Sequence, residues 1–105
     1  MPGERGLFID KGSRRVWIDG KLRQDKLTEK EFALVLYLAS RDGEICSRQE
    51  TVRAVYQCAY HAKIDDDRLD AVVGRVRRKI GDNSRYPRFL QTVNRHGHRL
   101  QCLNG

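Results

Sequence analysis

The sequence has no long hydrophobic run. No stretch of its 105 residues approaches the roughly 18 uninterrupted apolar residues that a membrane-spanning helix needs, and Met1–Gly6 lacks the apolar segment of a secretory signal. The three cysteines form an odd set without a Cys-x-x-Cys pair, which argues against a disulfide framework. These absences predict a cytoplasmic protein with reduced cysteines and no membrane anchor.

Groups that carry out catalysis are also scarce. No glycine-rich phosphate loop is present, and His61, His96 and His98 have no evident nucleophile partner. A chain of this length fits one domain with a single core. We therefore expect no enzymatic activity and no cofactor.

A metal site has little support in the sequence. Cys58-x-x-His61 could supply two ligands, and His96-x-His98 could supply two more from one face of a strand. A closed zinc site needs four ligands in tetrahedral geometry, and nothing else in the sequence confirms this pairing. We therefore predict no metal.

Positive charge is concentrated towards the C-terminus. Residues 1–67 carry 12 basic and 12 acidic side chains, whereas residues 68–105 carry 9 basic and 2 acidic ones, so the net charge of +7 arises entirely from the second range. Clustered cations attract polyanions through their summed field and through counterion release. The pattern favours nucleic acid as the partner; an anionic membrane surface and a merely solvated basic surface are the alternatives.

The N-terminal third predicts short antiparallel strands. Leu7–Ile9 and Val16–Ile18 are rich in residues that favour strands, and Asp19-Gly20 is a strong hairpin-turn signal. Three or four strands are expected. Trp17 is interpreted as a packing anchor rather than a ligand platform.

Two capped helices are predicted next. Thr28 and Glu31 form a capping box that opens a helix running to about Ser40, and its density of apolar residues predicts burial on most sides. Ser47 and Glu50 repeat the box and open a second helix. The Gln57–Asp65 segment loses periodicity and is interpreted as a loop of about nine residues.

A third helix is predicted from Asp65-Asp66-Asp67 to Lys79, with charges that suit the helix dipole at both ends. One face is apolar at helical period. The opposite face combines small residues with arginines, so another surface can approach the backbone closely and the major groove of DNA can admit the helix. An ordinary solvated face is the alternative. The apolar face comprises Leu69, Val72, Val73, Val76 and Ile80; the opposite face comprises Asp67, Ala71, Gly74, Arg75 and Arg78, flanked by Arg68 and Arg77.

A basic hairpin is predicted at the C-terminus. Phe89–Val93 forms one strand, residues 94–97 the turn, and residues 98–102 the returning strand.

The order of these elements resembles the winged helix-turn-helix of OmpR/PhoB-type response-regulator effector domains. The segments that carry the resemblance are LTEKEFALVLYLASRDGEICSRQE, RLDAVVGRVRRKIGDN and YPRFLQTVNRHGHRL. The resemblance covers residues 7–103 and leaves residues 1–6 as a flexible segment. It implies an α+β fold in which an N-terminal antiparallel sheet precedes three helices and a C-terminal β-hairpin wing.

The resemblance implies sequence-specific binding of double-stranded DNA by a bacterial transcriptional regulator of a two-component system. The third helix would enter the major groove and the wing would reach the adjacent backbone or minor groove. Two copies in tandem on DNA, and contact with RNA polymerase through the Gln57–Asp65 loop, are further implications. Arg75, Ala71 and Arg68 would read bases; Arg77, Arg78, Gly74, Tyr56 and Thr92 would contact phosphates; Asn94, Arg95 and His96 would form the wing.

Other features leave alternatives open. The wing reads Asn94-Arg95-His96-Gly97-His98, whereas the family usually has Arg-Gly-x-Gly-Tyr. The altered wing and the long loop suggest, as the alternative, a protein-binding adaptor on the same scaffold. RNA binding is less favoured, because the outward helix face lacks an aromatic stacking platform. His96 and His98 are also expected to protonate below about pH 6.5 and to tighten DNA binding.

Overall fold

The computed structural model describes residues 6–57, 60–83, 85–93 and 96–101. An N-terminal sheet is followed by three helices and a C-terminal hairpin. None of the described helices is long and apolar enough to cross a lipid bilayer. The elements are β1 (Leu7–Asp10), β2 (Arg15–Ile18), β3 (Lys21–Leu22), α1 (Glu29–Ser40), α2 (Arg48–Tyr56), α3 (Ala62–Ile80), β4 (Leu90–Val93) and β5 (Gly97–Leu100).

The N-terminal strands form an antiparallel sheet in the order β1-β2-β3. Asp19 and Gly20 have positive φ values of 52° and 83°, as a two-residue hairpin turn requires. The rings of Phe8 and Trp17, a directly paired couple, meet edge to face at 5.6 Å. The predicted hairpin is confirmed, whereas Trp17 packs on Phe8 within the sheet and is not part of the buried core.

Helix α1 is less buried than its composition suggested. Its N-terminus has the full predicted capping box, in which Thr28 Oγ1 accepts the Glu31 N–H and Glu31 accepts the Thr28 N–H. The buried positions are Glu31, Leu34, Val35 and Leu38, at helical spacing, whereas Leu36 is 40% exposed. One face of the helix is therefore buried, while Leu36 lines an open apolar cleft between α1 and β1.

Helix α3 buries the predicted stripe, and each of its five residues is at most 2% exposed. It starts earlier than predicted, at Ala62, so the segment predicted as a loop over Gln57–Asp65 is helical in its second half. The reason is Asp65, whose buried carboxylate accepts the His61 N–H at 2.7 Å and stabilises the first turn from within. Cys58 and Ala59 lie outside the described residues.

The C-terminal hairpin forms an isolated antiparallel β-bridge with Cys46, two residues before α2. The Cys46 N–H donates to His98 O at 2.8 Å, and the His98 N–H donates to Cys46 O at 3.0 Å. At the neighbouring Gly97, φ is +140°, and a Cβ there would lie 1.9 Å from Cys46 O. Only glycine allows this approach.

At the N-terminal edge, Gly6 is buried and takes part in two hydrogen bonds. Its N–H donates to Asp19 Oδ1 at 2.8 Å and its carbonyl accepts the Asp19 N–H at 2.9 Å. The rest of the predicted flexible segment, residues 1–5, lies outside the described residues.

Gly97→Ala is expected to lower the free energy of unfolding by about 2–5 kcal/mol, because both the positive φ and the clash with Cys46 O oppose a side chain. Gly74→Ala is the matched control. A Cβ at Gly74 has nothing within 4 Å, so alanine should stabilise the helix by up to about 1 kcal/mol. Urea unfolding of both variants checks the contrast; equal effects would contradict it.

Candidate nucleic-acid interface

The side of α3 opposite the core is an exposed face of small residues and arginines. Ala71, Gly74, Arg75 and Arg78 are all exposed there, and so is Arg68 one turn earlier. Gly74 leaves open space where a side chain would stand. The three residues that the resemblance assigned to base reading, at positions 68, 71 and 75, thus lie together on one helix and in solvent. We call this surface the α3 face.

Arg75 is anchored by a buried carboxylate. Glu31 is 0% exposed, and its Oε2 accepts the Arg75 Nε–H at 3.1 Å while its Oε1 accepts from Lys79 Nζ at 2.7 Å. Burial alone would raise the pKa of Glu31, but the hydrogen bonds from Lys79 and Thr28 and the positive charge of Lys79 outweigh it, so the pKa is lowered. Because the bond uses Nε, it does not occupy the Nη edge with which arginine meets guanine.

Arg68 is held at the other end of the α3 face. Its guanidinium carbon lies 3.9 Å from the centre of the Tyr56 ring, and its Nη1 donates to Asp65 Oδ1 at 3.0 Å. Tyr56 thereby links the end of α2 to α3. The sequence identified Tyr56 only through the resemblance, and it did not reveal that the ring supports Arg68.

Arg77 points towards the hairpin. Its Nε and Nη2 donate to Leu90 O at 3.2 and 3.1 Å, and Nη2 also donates to Thr92 Oγ1 at 2.7 Å. Thr92 is exposed, whereas Arg77 is only partly so. The structure therefore joins two predicted phosphate contacts to each other, and it does so at the start of the wing.

The tip of the wing is described only in part. Asn94 and Arg95, both predicted wing residues, lie outside the described residues. His96 is exposed and its N–H donates to Val93 O at 2.8 Å. His96 therefore remains a predicted wing contact.

The expected titration of His98 near neutral pH is wrong. The ring is 1% exposed, and its Nδ1 is buried without a hydrogen-bond partner in the described part of the chain. Burial, followed by the positive charges of Arg48 and Arg77, lowers the pKa of His98 to about 4, with Asp70 acting in the opposite direction. His98 stays neutral over the physiological range and lies in the interior, so it cannot act as the proposed pH-dependent DNA contact.

The sequence did not predict two features near the α3 face, a charged cleft and a set of ion pairs. Asp25 and three cationic side chains of α3 line a cleft of about 110 Å³ at the C-terminal end of the face. Arg48 joins α2 to α3 through Asp66 at 2.9 Å and Asp70 at 2.7 Å. No charge pattern in the sequence specified these partners. The cations of the cleft are Arg75, Arg78 and Lys79.

The histidine and cysteine pairs considered as metal ligands do not come together where they are described. His96 is exposed and His98 is buried, and Cys58 lies outside the described residues. Within the described ranges, no group of three or more His, Cys, Asp or Glu residues could hold a metal ion. Cys46 is a buried free thiol whose pKa is raised by burial, as expected for a small apolar residue in the core.

Comparison with protein families identifies the chain. The family model described as "Transcriptional regulatory protein, C terminal" matches residues 23–100. The chain belongs to this family. The family is one of transcriptional regulators, which agrees with the prediction that the chain is not an enzyme.

Curated relatives are whole transcriptional regulators. Transcriptional regulatory protein AfsQ1 of Streptomyces coelicolor is 38% identical over 95 residues, which cover 90% of this chain and 40% of AfsQ1. Transcriptional regulatory protein CusR of Escherichia coli is 32% identical over 99 residues, which cover 94% of this chain and 41% of CusR. The chain thus spans about two-fifths of the length of these relatives.

Solved structures confirm the predicted winged-helix fold. The DNA-binding domain of Klebsiella pneumoniae RstA, in complex with the RstA box, has a TM-score of 0.80 and 26% identity, with 93% of each chain covered. DrrB of Thermotoga maritima, an OmpR/PhoB homologue, has a TM-score of 0.69 and 25% identity, with 91% of this chain and 44% of DrrB covered.

The buried His98 should make stability depend on pH. Its folded-state pKa of about 4 lies below the ordinary 6.5, so the native state is favoured above pH 6.5 and loses stability as protons bind the unfolded chain. Between pH 7 and pH 5 the unfolding free energy should fall by about 2 kcal/mol. Urea unfolding at both values checks this. His98→Gln, which does not titrate, should show a much smaller decline; an equal decline in the variant would exclude His98 as its cause.

Proposed function

We propose that the chain binds double-stranded DNA with sequence specificity, with α3 in the major groove and the C-terminal hairpin on the adjacent backbone or minor groove, as part of a cytoplasmic bacterial transcriptional regulator. The observation that carries the proposal is the α3 face, where arginines stand beside Ala71 and Gly74 in solvent. A helix that faces only solvent gains nothing from an interior glycine. A helix whose backbone must come close to a base edge does gain from one, because glycine has no side chain.

The contacts divide into two classes. Arg75, together with Ala71 and Arg68, reads base edges along the α3 face. Anchoring of the Arg75 Nε by Glu31 leaves the outer edge of the guanidinium for guanine O6 and N7. Phosphates are contacted by Arg78, by Tyr56 and by Thr92, and the missing side chain at Gly74 lets a phosphate approach the helix closely; these contacts fix orientation without reading sequence. Arg77 is directed to the hairpin and is left out of the direct contacts.

Protein partners form a finer part of the proposal. The connection between α2 and α3, together with the first turn of α3, is the segment that we propose for contact with RNA polymerase. Ile64 is 62% exposed in that turn, which gives the segment an apolar side chain for a protein surface.

Tandem binding of two copies to repeated half-sites is proposed from the family alone. The alternative is a protein-binding adaptor without affinity for DNA, and the experiments below distinguish it from a DNA-binding domain.

Salt dependence tests DNA binding directly. Fluorescence anisotropy of a random-sequence duplex should show binding that weakens steeply with salt, because each phosphate contact releases condensed counterions. Arg78→Ala should reduce the slope of log K against log salt by about 0.9. Absence of binding at low salt would contradict the proposal and favour the adaptor.

Arg75→Ala should lower discrimination between the selected cognate duplex and a scrambled one by about 1–3 kcal/mol. In this variant Glu31 Oε1 keeps its bonds to Thr28 and Lys79, but Oε2 loses the partner that Arg75 supplied, so thermal unfolding checks that the variant is folded under the assay conditions. Arg78→Ala is the matched control on the same face, with similar losses expected on both duplexes. If Arg75→Ala also weakened both duplexes equally, Arg75 would not read a base.

A further inference from the structure

Arg77 and Arg78 are consecutive arginines with different surroundings. Arg78 is exposed on the α3 face, whereas Arg77 is partly buried against β4. Arg77 donates to Leu90 O through Nε and Nη2, and to Thr92 Oγ1 through Nη2 at 2.7 Å. The edge of the guanidinium formed by Nε and Nη2, which could form a fork around a phosphate, is thus directed to the hairpin.

The bond to Arg77 determines what the Thr92 hydroxyl can do. A hydroxyl has one hydrogen to donate and two lone pairs that accept. Since a guanidinium can only donate, Thr92 Oγ1 must be the acceptor, and its own hydrogen is left to donate elsewhere. Thr92 is exposed at the start of the wing, so an acceptor from outside the protein can reach this hydrogen. A phosphate oxygen is such an acceptor.

We infer that Arg77 is a positioning residue, which holds the Thr92 hydroxyl so that it donates to a DNA phosphate beside the wing. The inference rests on the proposed function and reassigns Arg77 from a direct phosphate contact to one that acts through Thr92. Arg77 contributes through the shape of its guanidinium, which reaches Leu90 O and Thr92 Oγ1 together. A positive charge without this shape would not hold the Thr92 hydroxyl in position.

Lysine substitution separates shape from charge. Arg77→Lys keeps the positive charge but cannot form the fork, so affinity for any duplex should fall about tenfold. The salt slope should stay unchanged, since no counterion-releasing contact is lost. Arg78→Lys is the matched control: a lysine still contacts a phosphate as a point charge, and affinity should stay within about twofold. Wild-type affinity in Arg77→Lys would overturn the inference.

Variants of Thr92 test the route through its hydroxyl. Thr92→Val removes the hydroxyl but keeps the side-chain shape and the bonds between Arg77 and Leu90, so the hairpin should stay folded while affinity falls about tenfold. Thr92→Ser should restore binding. Combining Arg77→Lys with Thr92→Val should weaken binding no more than about twofold beyond either change alone.

Two outcomes oppose the inference in different ways. Losses that multiply in the double variant would show that Arg77 and Thr92 act independently, and would overturn the inference while DNA binding stands. No binding by the wild-type chain at low salt would overturn the proposed function and this inference together. Thermal unfolding of each variant identifies any loss that is due to misfolding.

Discussion

The buried carboxylate of Glu31 is the constraint on which the interface depends. It closes the capping box of α1, and it also accepts from Lys79 and Arg75 on α3. A buried carboxylate is strongly disfavoured unless each oxygen is paired, so α1 and the C-terminal half of α3 must keep one relative position for both oxygens to stay satisfied. The same bonds that stabilise the helix pair therefore place the Arg75 guanidinium.

The hairpin is fixed by a second set of close contacts. The Asp82 carboxylate accepts the backbone N–H groups of Arg88, Phe89 and Leu90 and orders the chain just before β4. At the other end, Gly97 allows β5 to approach the backbone of Cys46. Both contacts involve the backbone, so the hairpin cannot shift far relative to α3 or Cys46 without losing them. The wing is consequently held at a defined angle to α3 despite its atypical sequence, and His98 fills an interior position behind it.

Local signals in the sequence predicted most of the fold. The capping box at Thr28, the Asp19-Gly20 turn and the apolar stripe of α3 each depend on neighbours within a few residues, and the structure confirms all three. The start of α3 was missed for a related reason. Asp65 accepts from the N–H of the residue four positions earlier, which is not the usual capping pattern, so the sequence alone indicates a helix start at the acidic run itself.

The contacts that shape the interface could not be predicted in the same way. Arg75 and Glu31 lie 44 residues apart, and Arg23 Nε meets the carbonyl of Lys79 at a separation of 56. Periodicity shows which side of a helix is polar, but it does not show which distant partner a charge will meet. His98 is an example: the alternation in its strand does not show whether its side chain faces the interior or solvent, whereas in the structure it is buried where β5 bridges to Cys46.

Three arginines of α3 are held before any ligand arrives, each by a different kind of partner. Arg68 lies on an aromatic ring and a carboxylate, Arg75 on a buried carboxylate, and Arg77 on a carbonyl and a hydroxyl. A free arginine loses about 2 kcal/mol of rotamer entropy when it is ordered, and an arginine already held in place loses less on binding. The acidic partners reduce the positive field that draws any duplex. Anchoring thus weakens non-specific attraction while it favours the sequence whose base edges match the arginines, which is the balance that a sequence-reading domain needs.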